Sequence, residues 1–238
     1  MSNMKLPDGK RIYAIGDVHG CLDLLDGLLA KIADDIAEHP EADAELIFLG
    51  DYIDRGPDSR GVIDRLTSGE LPAPATFLMG NHEEMLLTFL ERPGEARQWA
   101  VNGGEETLAS YGIPPGELPR HPEAARDRFL KLMPESHLQF YKALQLSIVR
   151  GGYFFCHAGV RPGVALDRQD RFDLVWIREP FLTYDGDFGK VVVHGHTPVR
   201  SVESLPNRIG VDTGGFIYGR LSAVVLSGDD RAIIDATR

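Results

Sequence analysis

The chain has 238 residues, 43% of them hydrophobic, which is enough for one domain, residues 1–238, with a sizeable core. Its 25 Lys and Arg against 36 Asp and Glu give a net charge of −11, which argues against nucleic-acid binding because that needs a basic surface. Two cysteines exclude a disulfide framework, and the absence of a signal core or a membrane-length apolar run leaves a cytoplasmic protein without membrane contact as the expectation.

Apolar runs alternate with helical patterns in the first ninety residues. The runs 11–15, 46–49 and 76–79 are short and continuous, which is typical of buried strands. Between residues 22 and 36 apolar side chains recur three or four positions apart, which predicts an amphipathic helix, and further helices are expected after Pro57 and over 83–91. The order β-α-β-α-β-α predicts parallel strands with right-handed crossovers.

The remainder of the chain changes character twice. Residues 92–145 carry helical pieces broken at 103–104 and 114–116, which we interpret as a helical excursion packed against the sheet. Strands dominate from residue 147, and their short spacings predict antiparallel pairs. The predicted strands are 147–150, 153–156, 173–177, 190–193, 208–211, 221–226 and 231–235. Together these elements predict an α/β layered domain.

Five predicted strands each lead into a loop that combines a glycine with Asp, Asn or His. In α/β sheets ligand sites collect at the carboxyl ends of strands, so these loops are expected to meet. The five loops are GDVHG at 16–20, GDYIDRG at 50–56, GNHE at 80–83, HAG at 157–159 and HGHT at 194–197.

The loops offer oxygen and nitrogen donors without thiolates, a set that suits Mn, Fe or Zn. The candidates exceed what one tetrahedral ion needs, and the Asp51 carboxylate could bridge two ions. Two divalent ions sharing a water lower its pKa and clamp the oxygens of an in-line displacement, so hydrolysis of phosphate esters is the expected reaction. The candidate donors are Asp17, His19, Asp51, Asn81, His157 and His196.

The five motifs, in this order, resemble the signature of PPP-type metallophosphatases of the calcineurin-like phosphoesterase superfamily. Residues 102–104, 175–179 and 212–214 add similarity to bacterial and bacteriophage-lambda-type serine/threonine protein phosphatases. The resemblance implies a two-sheet β-sandwich flanked by helices, with the site at one edge.

The resemblance also implies a role for each loop residue. Two metal ions are expected, with Mn²⁺ first and Fe or Zn as alternatives. Arg55 and Arg178 would hold the phosphate together with Asn81, and His82 would be the general acid, oriented and kept protonated by an ionised Asp54. The first metal would be held by Asp17, His19 and Asp51, and the second by Asp51, Asn81, His157 and His196.

Other polar and aromatic residues near these motifs are expected to play supporting roles. His194 is interpreted as a packing residue rather than a ligand, and Trp99 and Trp176 as core residues. Glu83 is expected to orient its neighbours or to pair with an arginine.

Three functions follow from the site. The first is a phosphatase acting on phosphoserine and phosphothreonine in proteins, which Asp54 before Arg55 and Glu83 after His82 favour. The second is symmetrical hydrolysis of dinucleoside tetraphosphates on the same fold. The third, a catalytically inactive phosphoprotein-binding module, predicts a missing ligand or acid, and none is missing here.

Overall fold

The computed structural model describes residues 5–238, and two mixed β-sheets form its centre. The sheet orders are β10-β9-β1-β2-β3 and β4-β5-β6-β8-β7. The strands are β1 (Lys10–Ile15), β2 (Asp43–Phe48), β3 (Ala75–Phe77), β4 (Ser147–Arg150), β5 (Tyr153–Cys156), β6 (Val191–His194), β7 (Glu203–Ser204), β8 (Arg208–Gly210), β9 (Arg220–Ser227) and β10 (Asp230–Thr237).

Helices surround the two sheets. The α-helices are α1 (Leu22–Glu38), α2 (Ser59–Thr67), α3 (Asn81–Glu91), α4 (Arg97–Trp99), α5 (Glu105–Ser110), α6 (Glu117–Arg120), α7 (Pro122–Leu132), α8 (Glu135–Ala143), α9 (Arg171–Trp176) and α10 (Gly215–Tyr218). Short 3-10 turns lie at Pro93–Glu95 and Leu166–Arg168, and a π-helical turn lies at Ala100–Gly104. No helix within residues 5–238 is long and apolar enough to cross a membrane.

The β-α-β-α-β-α order predicted for the first ninety residues is confirmed. Strand β1 pairs in parallel with β2, which pairs in parallel with β3, as helical crossovers require. The predicted excursion is also helical, from Pro93 to Ala143. Its expected break at 103–104 is a π-helical turn in which Gly103 has a φ of 105°. A Cβ on Gly103 would lie 2.5 Å from the backbone nitrogen of Arg55, so this close approach requires glycine.

One prediction for the second half, a strand at 173–177, is wrong, and another, antiparallel pairing, holds for β4/β5, β7/β8 and β9/β10 but not for every pair. Residues 173–177 lie mostly in helix α9, which Asp170 caps by accepting the Phe172 N–H at 2.8 Å. The apolar run packs one helical face against the second sheet, and periodicity cannot separate so short a helix from a strand. Strands β4 and β5 are antiparallel as predicted, but β5 pairs in parallel with β6, and β6 with β8.

A core between the two sheets explains the alternation of apolar residues along the strands. Tyr153 and Phe155 of β5 face this core, whereas Phe154 and Cys156 face the outer layer that includes α9. The first sheet behaves in the same way, with Ile12 and Ala14 turned inward and Tyr13 and Ile15 turned toward the helices. This is the two-sheet sandwich flanked by helices that the sequence predicts.

The loops carrying the five motifs meet at one edge of the sandwich. Backbone hydrogen bonds join them directly: the Val18 N–H donates to the Asp51 carbonyl at 3.0 Å, and the Gly195 N–H donates to the His157 carbonyl at 2.7 Å. Parallel strands end at the same edge, so parallel pairing in both sheets brings distant parts of the chain together.

Removal of side-chain volume from the inter-sheet core should destabilise the fold. We expect Ile47→Ala to lower the free energy of unfolding by about 2–5 kcal/mol, because Ile47 is fully buried between the sheets. Ile233→Ala on β10 makes the same chemical change at a position that is 51% exposed, and it should cost less than about 1 kcal/mol. Denaturant unfolding in the presence of chelator measures both, and equal losses would contradict the assignment of the core.

Candidate active site

Left-handed backbone marks the site residues. Within residues 5–238, every non-glycine residue with a positive φ is one that the sequence predicts for the site. Such a conformation costs roughly 1–3 kcal/mol per residue and persists only where the surroundings hold it. The five residues and their φ angles are His19 (45°), Asp51 (53°), Asp54 (72°), Arg55 (68°) and His196 (65°).

The buried Glu83 carboxylate holds the turn at Asp51. It accepts the backbone N–H groups of Asp51 at 2.9 Å, Tyr52 at 2.8 Å and Gly80 at 3.0 Å, and so ties two motif loops together. Burial raises the pKa of Glu83 to about 8, and the nearby Asp51 charge adds to this increase. The hydrogen bond from the Tyr52 N–H lowers the pKa, but by less. Glu83 thus orients its neighbours, which is one of the two expectations from the sequence. Its partners are backbone N–H groups and not an arginine.

Asp51 lies between two imidazoles. Its Oδ2 atom is 3.5 Å from Nε2 of His19 and 3.4 Å from Nε2 of His157. The Nδ1 atoms of these rings lie 2.9 Å from the carbonyl oxygens of Ile53 and Leu49, to which they can only donate. In its neutral form each ring directs an unprotonated Nε2 toward Asp51, which is the orientation that a metal ligand needs.

Asn81 and Asp17 connect His196 to this centre. Oδ1 of Asn81 lies 3.0 Å from Nε2 of His157 and 2.8 Å from Nδ1 of His196. The His196 backbone N–H donates to both Asp17 carboxylate oxygens, at 3.3 and 3.1 Å. Gly195 allows this approach, since a Cβ there would lie 2.1 Å from Oδ1 of Asp17. The six predicted ligand residues thus share one buried cluster.

The cluster buries carboxylates beside imidazoles. Burial, together with Asp212 and Asp51, raises the pKa of Asp17 well above its usual value. Burial acts in the same direction on Asp51, but the neighbouring His157 and His82 outweigh it and hold the pKa of Asp51 well below its usual value. Burial lowers the pKa of His19 to about 3. The His19 imidazole is therefore in its neutral, metal-binding form. A bound cation would offset the negative charge of the clustered carboxylates.

The donor set fits divalent cations. Within residues 5–238 two overlapping groups place their donor atoms within 4.8 Å of one another: His19, Asp51 and His82, and Asp51, His157 and His196. Nε2 of His196 is buried and has no hydrogen-bond partner among these residues. Asp51 belongs to both groups, as expected of a bridging ligand. Asp17 lies outside both and contacts the His196 backbone instead.

His82 and Asp54 form the shortest contact of the predicted pairs, at 2.6 Å between Nδ1 and Oδ2. The same Asp54 oxygen accepts the Trp99 indole N–H at 2.8 Å, and the other accepts the Thr107 hydroxyl at 2.5 Å. Burial raises the pKa of Asp54 well above its usual value and lowers that of His82 to about 4. Burial thus disfavours the separated charges expected from the sequence for this hydrogen-bonded pair.

The two predicted phosphate-binding arginines differ in their surroundings. Arg55 is half-buried, with Nη1 3.3 Å from Nε2 of His19 and its guanidinium carbon 4.8 Å from the centre of the Phe216 ring. Arg178 is exposed and follows helix α9 rather than a strand. Its side chain has no hydrogen bond or ion pair within residues 5–238, Glu179 included, and its positive charge helps to lower the pKa of His196.

The family model for calcineurin-like phosphoesterases matches residues 10–221. This chain belongs to that family. The metallophosphoesterase fold and the reaction class implied by the five motifs are thereby shown, and the clustered His and Asp residues could hold the metal ions that this family uses.

This phosphoesterase is similar to named relatives and to solved structures. The asymmetrical bis(5′-nucleosyl)-tetraphosphatase PrpE of Anoxybacillus flavithermus is 30% identical over 230 residues, 88% of each chain. A solved structure whose name proposes a diadenosine tetraphosphatase has a TM-score of 0.67 at 22% identity, over 100% of this chain and 98% of that one. A Saccharomyces cerevisiae serine/threonine phosphatase has a TM-score of 0.53 at 15% identity, over 97% and 80%. The structural likenesses show the fold.

Sequence reasoning missed three residues of the phosphoesterase site. Trp99 is buried, as expected of a core residue, but it also donates to Asp54. Thr107 carries no motif, and only its place in the folded excursion brings it to Asp54. Asp212 is buried beside Asp17, with its pKa raised by burial to about 6, and the motif at 212–214 was its only signal. His194, by contrast, packs on Phe181 with ring centres 4.9 Å apart, as predicted for a packing residue.

Asp51 should control both metal ions. We expect Asp51→Asn to reduce the content of both, because this carboxylate belongs to both donor groups, whereas Asp17→Asn should mainly weaken one. Metal content per protein molecule after dialysis against a fixed Mn²⁺ concentration measures this, with far-ultraviolet circular dichroism as the control for folding. Two ions retained in Asp51→Asn would show that Asp51 does not bridge.

Proposed function

We propose that this calcineurin-like phosphoesterase hydrolyses bis(5′-nucleosyl) tetraphosphates, using two divalent metal ions of which Mn²⁺ is the expected one. The observation that carries the proposal is the identity of 30% over 88% of both chains with a relative of that name. The relative's name also specifies asymmetrical cleavage, so we expect AMP and ATP from diadenosine tetraphosphate rather than two molecules of ADP. Its substrates would be small nucleotides.

The site supplies the groups that such a reaction needs. The ions would be held by the cluster around Asp51 and would activate a water and neutralise phosphate charge. Arg55, at the inner side, and the exposed, unpaired Arg178 present guanidinium forks that match phosphate oxygens. Asn81 has an amide that reaches both His157 and His196, which puts it within range of a phosphate bound there.

A protein phosphoserine/phosphothreonine phosphatase is the second candidate, and the contact between His82 and Asp54 favours it. An alkoxide leaving group is a strong base and needs a proton as the ester bond breaks, whereas a nucleotide phosphate leaves with less help. A buried imidazole that Asp54 orients through a hydrogen bond of 2.6 Å is suited to supply one. Phosphorylated proteins would then be the partners. The full set of ligand residues argues against an inactive binding module.

A substrate panel with Mn²⁺ separates these candidates. We expect kcat/KM for diadenosine tetraphosphate to exceed that for phosphoserine and phosphothreonine peptides by at least about tenfold. Chromatography of the nucleotide products would show AMP and ATP in equal amounts at early times. A higher kcat/KM for the peptides would favour the second candidate, and ADP as the sole product would indicate symmetrical cleavage. Chelation should abolish every activity in the panel, and added Mn²⁺ should restore it.

Arg178 should bind phosphate without holding metal. We expect Arg178→Ala to keep its metal content and to lose about 10- to 100-fold in kcat/KM, since a hydrogen bond to a charged group is worth roughly 1.5–3 kcal/mol. The matched control is Arg126→Ala on α7, where the guanidinium pairs with Asp127 outside the site. Steady-state kinetics on the preferred substrate measure both variants. Equal kinetics for the two variants would mean that Arg178 is a surface residue that does not bind phosphate.

The acid role of His82 should depend on the leaving group. Phenyl phosphate and p-nitrophenyl phosphate have nearly the same shape, but phenolate is the stronger base and needs the proton more. Loss of general acid catalysis costs roughly 10²–10⁴-fold where the proton is needed, so His82→Asn should slow phenyl phosphate hydrolysis much more than that of p-nitrophenyl phosphate. Asp54→Asn should act in the same direction but more mildly, because Asp54 acts through His82.

Metal analysis must accompany these rates, since the His82 side chain belongs to one of the two donor groups and its Nε2 lies 3.9 Å from Oδ2 of Asp51. Equal losses on the two esters, in a variant that retains its metals, would mean that His82 positions Asp51 and does not donate the proton.

A further inference from the structure

An exposed aromatic stack adjoins one end of the metal-ligand cluster. The Phe172 ring is 64% exposed and lies nearly parallel to the Trp176 ring, with an interplanar angle of 17° and centres 6.3 Å apart. Trp176 in turn lies 6.3 Å from the His196 ring, and its indole N–H donates to Glu84 at 2.6 Å, which fixes its position. A groove of about 800 Å³ runs along this stack between helices α3 and α9.

A second aromatic ring adjoins the other end. The Phe216 ring lies 5.2 Å from the His19 ring and is covered on one side by the Arg55 guanidinium. It faces a recess of about 430 Å³ whose far wall is the π-helical turn with Asn102 and Val101, a residue that is 77% exposed. This wall belongs to the helical excursion, which contains none of the six predicted metal ligands.

The two rings are separated by the row of ligands. His19 contacts Asp51, Asp51 contacts His157, and the His157 and His196 rings are 5.1 Å apart. Phe216 adjoins the first of these imidazoles and Trp176 the last. A ligand with a charged centre and a flat apolar group at each end would therefore match the site, with phosphates over the ligand row and one ring system on each side.

We propose that Phe172 with Trp176, and Phe216 on the opposite side, are the stacking platforms for the two nucleobases of a dinucleoside polyphosphate. This inference rests on the proposed function and names the residues that select its substrate. Stacking of a base on an aromatic side chain is worth about 1–3 kcal/mol and tolerates any base, since every base has a π-face. Arg55 contributes on the Phe216 side, where its guanidinium is both stacked on the ring and directed toward the ligands.

Competition between two phosphate compounds tests the platforms. Diadenosine tetraphosphate and inorganic tetraphosphate would each compete with p-nitrophenyl phosphate in the presence of excess Mn²⁺. The two competitors differ by the nucleosides, so the ratio of their inhibition constants isolates the contribution of the bases whatever the rate of each variant. We expect Phe172→Ala and Phe216→Ala each to weaken the binding of diadenosine tetraphosphate, relative to that of inorganic tetraphosphate, by roughly 5- to 100-fold. This corresponds to about 1–3 kcal/mol.

Two control variants and the wild type complete the design. Phe172→Tyr keeps an aromatic ring and should retain the wild-type ratio, as should Ile233→Ala, an apolar truncation on the exposed edge of β10. Wild-type protein that prefers inorganic tetraphosphate, or a ratio unchanged in both phenylalanine variants, would overturn the proposal. A change for one ring alone would overturn the assignment of the other. Wild-type protein that binds but does not cleave diadenosine tetraphosphate would refute the proposed function while the ratio still judges the platforms.

Discussion

The site depends on one buried carboxylate held in a left-handed turn. Asp51 has a φ of 53°, and three backbone N–H groups of its own and a neighbouring loop, those of Asp51, Tyr52 and Gly80, converge on Glu83. This arrangement directs Oδ2 of Asp51 at His19 on one side and His157 on the other. Without Glu83 the strained turn would lose these three hydrogen bonds, and such strain persists only where its surroundings over-determine it.

The helical excursion completes the site as well as enclosing it. Trp99 and Thr107, on two helices of the excursion, donate to opposite oxygens of Asp54, and Asp54 in turn contacts His82. A buried carboxylate with three donors is satisfied, whereas one with a single donor would be costly. The parallel strands and helix α3 carry the contacts that assemble the metal ligands, whereas the contact between His82 and Asp54 depends on a segment whose composition alone suggests only packing.

Local chemistry that repeats along the chain was predictable, and chemistry created by packing was not. The five loops could be found because a strand followed by glycine and a metal-binding side chain is a pattern within ten residues. The roles of Trp99 and Thr107 could not, since each depends on a partner about fifty positions away in sequence. Residues 173–177 were assigned to a strand because four consecutive apolar residues fit a buried strand and a short helix equally well.

The same distinction explains why the reaction class is easier to infer than the substrate. The groups proposed to bind metal and phosphate, such as Asp51 and Arg55, lie at the strand ends, and the sandwich itself sets their spacing. The residues proposed to contact what is attached to the phosphate lie outside it: Phe172 on α9 and the π-helical turn beside Phe216. These segments have few backbone constraints in common with the sheets, so they can change without disturbing the ligands. One dimetal scaffold can therefore serve nucleotide and phosphoprotein substrates, and in our proposal the aromatic rings at its two ends, the exposed Phe172 and the partly buried Phe216, select between them.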